Sequence, residues 1–201
     1  MKLIEQSYEI ISLPENLLET LEQAGRTCYK SENKITKESS PKFVKMLIDS
    51  GHHAMIEFGD IIVKFITNRG VTHEIVRHRL SSFAQESTRY VRYDKSMEFI
   101  KPVWFDECTP YDIDVFKNFL VDAELTYKNL LDLGWRPEQA REVLPNALKT
   151  EIVWKANIRE WRHIFNLRCS KASHPQIRSL LLPLLKELKE KLPVVFDDIK
   201  F

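Results

Sequence analysis

The sequence predicts an α+β fold, a small antiparallel or mixed sheet flanked by long helices. Strand-like runs are few, at 2–12, 60–67, 97–103 and 150–156. Helical periodicity and helix punctuation dominate the remainder. Strands and helices do not alternate regularly, which argues against a doubly wound parallel sheet. With 201 residues, 43% of them hydrophobic and 29% charged, the chain suits one domain over 1–201 with a sizeable core.

Each element has a local reason. Residues 2–12 read as one strand, and 14–24 as a helix with Leu17, Leu18 and Leu21 on one face. Ser40-Pro41 and Gly51 bracket a helix holding Val44, Leu47 and Ile48. DIIVKFIT at 60–67 is β-branched and ends at Asn68-Arg69-Gly70, a turn signal. A short helix over 71–79 then delivers Arg77, His78 and Arg79, followed by a loop over 80–88. After the strand at 97–103, Thr109-Pro110 opens a long helix with a stripe of Ile113, Phe116, Leu120 and Ala123, closed by Gly134. Pro137 to Leu144 is a further helix. TEIVWKA at 150–156 suits a strand, with a helix left open. Asn157 caps a helix carrying Trp161, Phe165 and Arg168. The last helix starts at Pro175, with a seam of Ile177, Leu181, Leu184 and Leu188 and a kink at Pro183.

Several classes are disfavoured at once. No run approaches the ~20 apolar residues of a membrane span, and MKLIEQSYEII has no cleavage signal, so a cytoplasmic protein without membrane partners is expected. Cys28, Cys108 and Cys169 are odd in number and scattered, which fits reduced thiols rather than disulfides or a zinc knuckle. The five glycines contain no G-x-G pair, so neither the Rossmann fingerprint nor the P-loop is present. Any nucleotide phosphate must therefore be held by side chains.

RHRLSSFAQESTRYVR, residues 77–92, supplies such side chains. Arg77, His78, Arg79, Arg89 and Arg92 surround Glu86, with hydroxyls at Ser81, Ser82, Ser87 and Thr88. Guanidinium forks match phosphate oxygens two at a time. In water, each close pair of arginines repels by up to ~1 kcal/mol. A dianion replaces that repulsion with bonds worth roughly 1.5–3 kcal/mol each. A solvated basic face is the plain alternative, and a single-strand nucleic-acid surface the next. Yet 30 Lys+Arg stand against 29 Asp+Glu, and an island on a neutral background fits a small anion better.

Arg77-His78-Arg79, followed after seven residues by Ser87 and then Arg89-Tyr90, resembles the signature of the flavin-dependent thymidylate synthases. Ala24 to Tyr29, Gly51-His52 with Glu57, Ala140 to Pro145 and Asn157 to Arg168 resemble further parts of that family. The resemblance implies the thymidylate synthase-complementing fold, assembled as a homotetramer whose active sites are shared between subunits. It also implies conversion of dUMP to dTMP, with methylenetetrahydrofolate as carbon donor and FAD, reduced by NADPH, as hydride donor. Matching positions assign dUMP to Glu74, Arg77, Gln85, Glu86, Ser87, Thr88, Arg89, Arg141 and Arg168. FAD falls to Arg77, His78, Arg79, Gln85, Asn157, Arg159 and His163, and His52 faces the folate and flavin rings. Arg141 is implied to reach in from another subunit; a surface pair with Glu138 is its plain alternative.

Arg168 matches the arginine that activates the pyrimidine. Carbon 5 of uracil becomes nucleophilic as the ring gains enolate character, and a permanently charged guanidinium stabilises that charge. The plain alternative is a helix-end cation worth ~0.3–1 kcal/mol. No metal is expected, because His52 and His53 are adjacent and His73 and His78 are five apart. Three positions depart from the family pattern: Glu74 where glutamine is common, Ala54 in place of a hydroxyl, and His163 where some relatives have asparagine. A cysteine-nucleophile enzyme is a rival, with Cys169 its one serious candidate. A non-enzymatic single-strand-binding module is the other.

Overall fold

A computed structural model describes residues 1–201. Two compact units emerge. The first comprises Met1–Ser7, Phe65–Arg77 and Ala84–Val153, and the second Tyr8–Lys64, His78–Phe83 and Trp154–Phe201. Strands are β1 (Lys2–Ile4), β2 (Ser7–Ser12), β3 (Asp60–Asn68), β4 (Ser81–Gln85), β5 (Glu98–Ile100) and β6 (Lys149–Asn157). Helices are α1 (Leu17–Tyr29), α2 (Ser40–Asp49), α3 (Arg69–Ile75), α4 (Pro110–Asp132), α5 (Pro137–Ala140), α6 (Ile158–Arg168), α7 (Pro175–Lys191) and α8 (Pro193–Phe196). Few strands among many helices make the α+β class plain.

β2, β3, β6 and β4 form a four-stranded sheet in that order. Ile61, Val63, Phe65 and Thr67 of β3 are buried at every second position, as are Thr150, Ile152, Trp154 and Ala156 of β6. That period of two is what a pleated strand requires, and it settles TEIVWKA as strand. Bonds beyond the strand ends, Ile158 N–H to Gly59 O and Arg69 N–H to Leu148 O, make β3 and β6 antiparallel.

Residues 2–12 are two strands rather than one. β1 pairs parallel with β5, Leu3 opposite Phe99, and Thr67 donates its hydroxyl to the Gln6 side chain just past the break. Residues 80–88 are a second correction, because Ser81–Gln85 is strand β4 and not a loop. Phe83 turns inward against the Trp154 ring, centroids 5.7 Å apart. One inward aromatic outweighs the turn preference of two serines. β5 covers only three residues of the expected 97–103, stopping short of Pro102.

Helix limits also shift. α1 runs on to Tyr29 and ends at Lys30, whose left-handed φ of 48° closes it. Gly25 lets it approach α2, since a Cβ there would meet the Phe43 ring at 2.6 Å. α3 stops at Ile75, so Arg77 lies just beyond the helix, its N–H bonded to Glu74 O at 3.2 Å. The expected helix over 137–144 is four residues of α5 and a 3-10 turn, Arg141–Val143. In the first unit, Leu120, Tyr127 and Leu131 of α4 pack with Met97, Phe99, Ala140 and Leu148. Ile113 and Phe116 are only half-buried. In the second unit, the α7 seam is buried as its spacing predicts, and the unforeseen α8 adds Val195 and Phe196.

Candidate active site

Two strand-to-helix junctions carry most of the candidate residues. Each ends in an asparagine whose side-chain oxygen accepts a helix N–H: Asn68 from Val71 at 2.8 Å, Asn157 from Glu160 at 2.9 Å. Such caps satisfy one of the orphan donors of a first turn. α3 leads into Arg77, and α6 ends on Arg168.

The first unit holds Glu74, Arg77, Gln85, Glu86, Ser87, Thr88, Arg89 and Arg141. Gln85, at the end of β4, donates Nε2 to Thr72 Oγ1 at 2.9 Å and to Thr150 Oγ1 at 3.3 Å. Its carbonyl oxygen is the part left to meet a ligand. Glu86 is tied elsewhere than the arginines: Tyr93 donates its hydroxyl at 2.5 Å and Lys149 its ammonium at 3.4 Å. Burial, and then the bond to Glu86, push the Tyr93 phenol far above its ordinary value. Burial opposes the Lys149 ammonium, but Glu151 at 2.6 Å and Glu86 outweigh it and its pKa rises. Arg92 leaves the cluster too, bound to Asp94 at 2.5 Å.

What remains is a tight turn presenting cations. Ser87 O accepts from Tyr90 and Val91 N–H at 3.1 and 2.9 Å, and Ser87 Oγ accepts the Arg89 N–H at 3.3 Å. Arg77 and Arg89 are exposed, and the Arg89 guanidinium lies over the Tyr90 ring at 5.5 Å. Thr88 is buried, and Arg141 Nη1 reaches its hydroxyl at 3.5 Å within the same chain. Arg141 does not pair with Glu138, which binds Arg136 at 2.6 Å. This turn can take an anion through guanidinium and hydroxyl donors together.

The second unit holds His52, His78, Arg79, Asn157, Arg159, His163 and Arg168. A cavity of about 390 Å³ is lined by Glu57, Leu80, Asn157, Arg159, Glu160 and His163. Arg159 binds Glu57 at 2.6 Å beside it. His78 is buried between elements, 3.1 Å from Arg168 Nε and 3.3 Å from Glu160 Oε1. Burial, then Arg168 and His163, pull its pKa down to about 4, so the ring is neutral near pH 7. His52 shares a 2.5 Å hydrogen bond with Tyr29 and stacks on its ring. Arg79 is exposed.

Spacing of the histidines along the chain concealed one cluster. His78, Glu160 and His163 each bring a ligand atom within 4.8 Å of the others. The fixed charge of Arg168 at His78 Nε2 opposes a cation there. Tyr93, Lys149 and Glu160 were missed altogether. Glu160 left a trace, since E-W-R-H puts it three residues before His163 on one helix face. Cys169 is fully buried, and burial pushes its thiol up to about 12, with Arg178 opposing. A nucleophile needs the thiolate, so this removes the cysteine rival.

Comparison with known proteins decides the kinship. The profile of the thymidylate synthase complementing protein family matches residues 9–194. The chain belongs to this family. It is 33% identical over 199 residues to the flavin-dependent thymidylate synthase of Mycolicibacterium vanbaalenii, covering 90% of this chain and 78% of that one. The enzyme of the same name from Corynebacterium diphtheriae is 31% identical over 198 residues, with the same coverage. The thymidylate synthase-complementing fold is seen in a UMP/dUMP methylase from Streptomyces cacaoi bound with 5-Br dUMP. Its TM-score is 0.81 at 22% identity, covering 98% of this chain and 96% of that one.

Proposed function

We propose that this chain is a flavin-dependent thymidylate synthase, converting dUMP to dTMP. The observation that carries the reading is the family match over 9–194, together with a turn at which Arg77 and Arg89 are exposed and Glu86 is taken by Tyr93 and Lys149, while Arg92 binds Asp94 and Arg141 lies 3.7 Å from Glu142. Arg77, Ser87, Arg89 and Arg141 hold the nucleotide phosphate; Glu74, Gln85, Glu86 and Thr88 shape the turn around the sugar. Arg168 lends its charge to the pyrimidine. In this reading residues 1–201 act as one catalytic domain in the cytoplasm. No helix is long and apolar enough to cross a membrane.

The cavity set offers polar groups and an apolar face to a ring-bearing cofactor, although Arg159 is engaged by Glu57 at 2.6 Å and Glu160 adds a second carboxylate, so the lining carries no spare positive charge for a phosphate. Asn157, Arg159 and His163 offer an amide, a guanidinium and an imidazole, while Leu80, largely exposed, offers an apolar face. FAD is the cofactor assigned there, with Arg77, Arg79 and Gln85 adding contacts and His78 buried with both ring nitrogens engaged by Arg168 and Glu160, and when bound FAD would supply the hydride. NADPH and methylenetetrahydrofolate are the co-substrates, with His52 facing the folate. Ala54 offers no hydroxyl, one hydrogen bond of roughly 0.5–1.5 kcal/mol fewer. A homotetramer with shared sites is part of this reading, and on α4 Tyr111, Val115 and Phe119 are exposed at four-residue spacing.

The direct test is purification followed by a spectrum and a turnover assay. Yellow protein forming dTMP from dUMP, methylenetetrahydrofolate and NADPH supports the reading. Protein that stays colourless on reconstitution with FAD and forms no dTMP overturns it. Within that assay, Arg89→Ala is expected to weaken dUMP binding by roughly 1.5–3 kcal/mol, one charge-assisted bond. Calorimetric titration reads this directly, and unchanged affinity removes Arg89 from the phosphate.

A further inference from the structure

Glu160 has no part in the reading above, yet it is one of the most buried charges in the second unit, 7% exposed. It stands in line with His78 and Arg168. Arg168 Nε lies 3.1 Å from His78 Nε2, and His78 Nδ1 lies 3.3 Å from Glu160 Oε1. A guanidinium only donates, so Nε2 must be the accepting nitrogen. The ring proton of the neutral imidazole is then on Nδ1, directed at the carboxylate. The opposite tautomer would set two donors against each other at Nε2 and turn a lone pair toward the carboxylate. A doubly protonated ring would place a second cation against the guanidinium, which agrees with the depressed pKa. His78 is itself only 4% exposed, so water competes little for either bond.

We propose that Glu160 and His78 form a carboxylate–imidazole relay that positions Arg168 for the pyrimidine. The proposal rests on the assignment of Arg168 to that ring. A guanidinium is planar, so fixing the direction of Nε–H fixes the plane of both Nη groups, the fork that meets a flat uracil edge. The relay also keeps the carboxylate one ring away. Glu160 bound directly to Arg168 would neutralise the charge Arg168 is meant to lend; through a neutral imidazole it supplies orientation instead. Carboxylates that orient histidines from behind do the same in metal sites. Glu160 and His78 are positioning residues here, and Arg168 is the catalytic one.

The test combines kinetics with the tautomer itself. In Glu160→Leu holoenzyme, kcat for dTMP formation is expected to fall about 10–100-fold, the usual loss for an outer-shell partner, with KM for dUMP unchanged. Glu160→Gln, whose amide oxygen still accepts from Nδ1–H, recovers most of that loss. Solid-state 15N NMR of 15N-histidine-labelled wild-type holoenzyme is expected to show His78 with its proton on Nδ1. A proton on Nε2, or full kcat in folded, flavin-loaded Glu160→Leu, overturns the relay. If Glu160→Leu fails to fold, the wild-type tautomer decides alone. Arg168→Ala separates the two claims: full activity there defeats the assignment of Arg168, whereas an inactive Arg168→Ala beside a fully active Glu160→Leu defeats only the relay.

Discussion

Replacing Arg168 with lysine is expected to lower dTMP formation by about 10²–10³-fold, the loss seen when one preorganised donor to a developing negative charge is removed. FAD is expected to stay bound, because Arg168 does not line the cavity assigned to the cofactor. The size of the effect separates two roles. A cation merely complementing the α6 dipole gives ~0.3–1 kcal/mol, and lysine supplies it equally well. An arginine holding His78 through Nε while its fork meets a pyrimidine cannot be copied by lysine. The ammonium is one compact charge, and it cannot bond to the imidazole and present a planar pair of donors together. Single-turnover dTMP formation with the flavin spectrum recorded in parallel is the measurement. An undiminished rate would mean that uracil is activated by another group.

Trp161→Ala is expected to cost about 3–5 kcal/mol of stability. Trp161 is fully buried on α6, between Trp154 at 5.0 Å and Phe165 at 5.4 Å, ring centre to centre. Its indole N–H donates to Ile61 O on β3 at 3.1 Å. Truncation leaves a cavity and an unpartnered carbonyl, whose desolvation adds roughly 1–3 kcal/mol when no water enters. For a chain of this length the melting point should drop by on the order of 10 °C. Trp161→Phe keeps most of the volume and should lose chiefly the hydrogen bond. Urea midpoints of wild type and the two variants check this, and a Trp161→Phe midpoint equal to wild type would show that the indole N–H contributes nothing. The same side chain fastens α6 to β3, so the mount of Arg168 loosens with it.

What the sequence discloses follows from how local each signal is. β3 and α7 were legible because one inward face per element imposes its own period. The Asn157 cap was legible because a cap is chemistry within four residues. β4 was not, since Ser81 and Ser82 favour turns locally and only Trp154, some seventy residues away, fixes Phe83 inward. The arginine turn was legible as a cluster of charge. Its acid was misjudged: Glu86 is held by Tyr93 and by Lys149 on β6, and no spacing along the chain reports that pairing. Arg77, Ser87, Arg89 and Arg141 fall in the first unit and Arg168 in the second. The relay was invisible for the same reason as Glu86, because His78 and Arg168 are ninety residues apart.

Asn157 has its two terminal atoms facing different duties. The oxygen secures the opening turn of α6 at Glu160, while the NH₂ is the half able to donate toward the cavity it lines. Alanine there would unsettle the helix and empty the donor position together, so lost yellow colour could not be ascribed to either. Aspartate divides them: it retains the accepting oxygen, suits the positive pole of the helix, and offers no hydrogen to an anion. An Asn157→Asp protein that melts at the wild-type temperature yet holds flavin poorly would attribute affinity to a single N–H. One that holds it unchanged would leave this residue a purely architectural task.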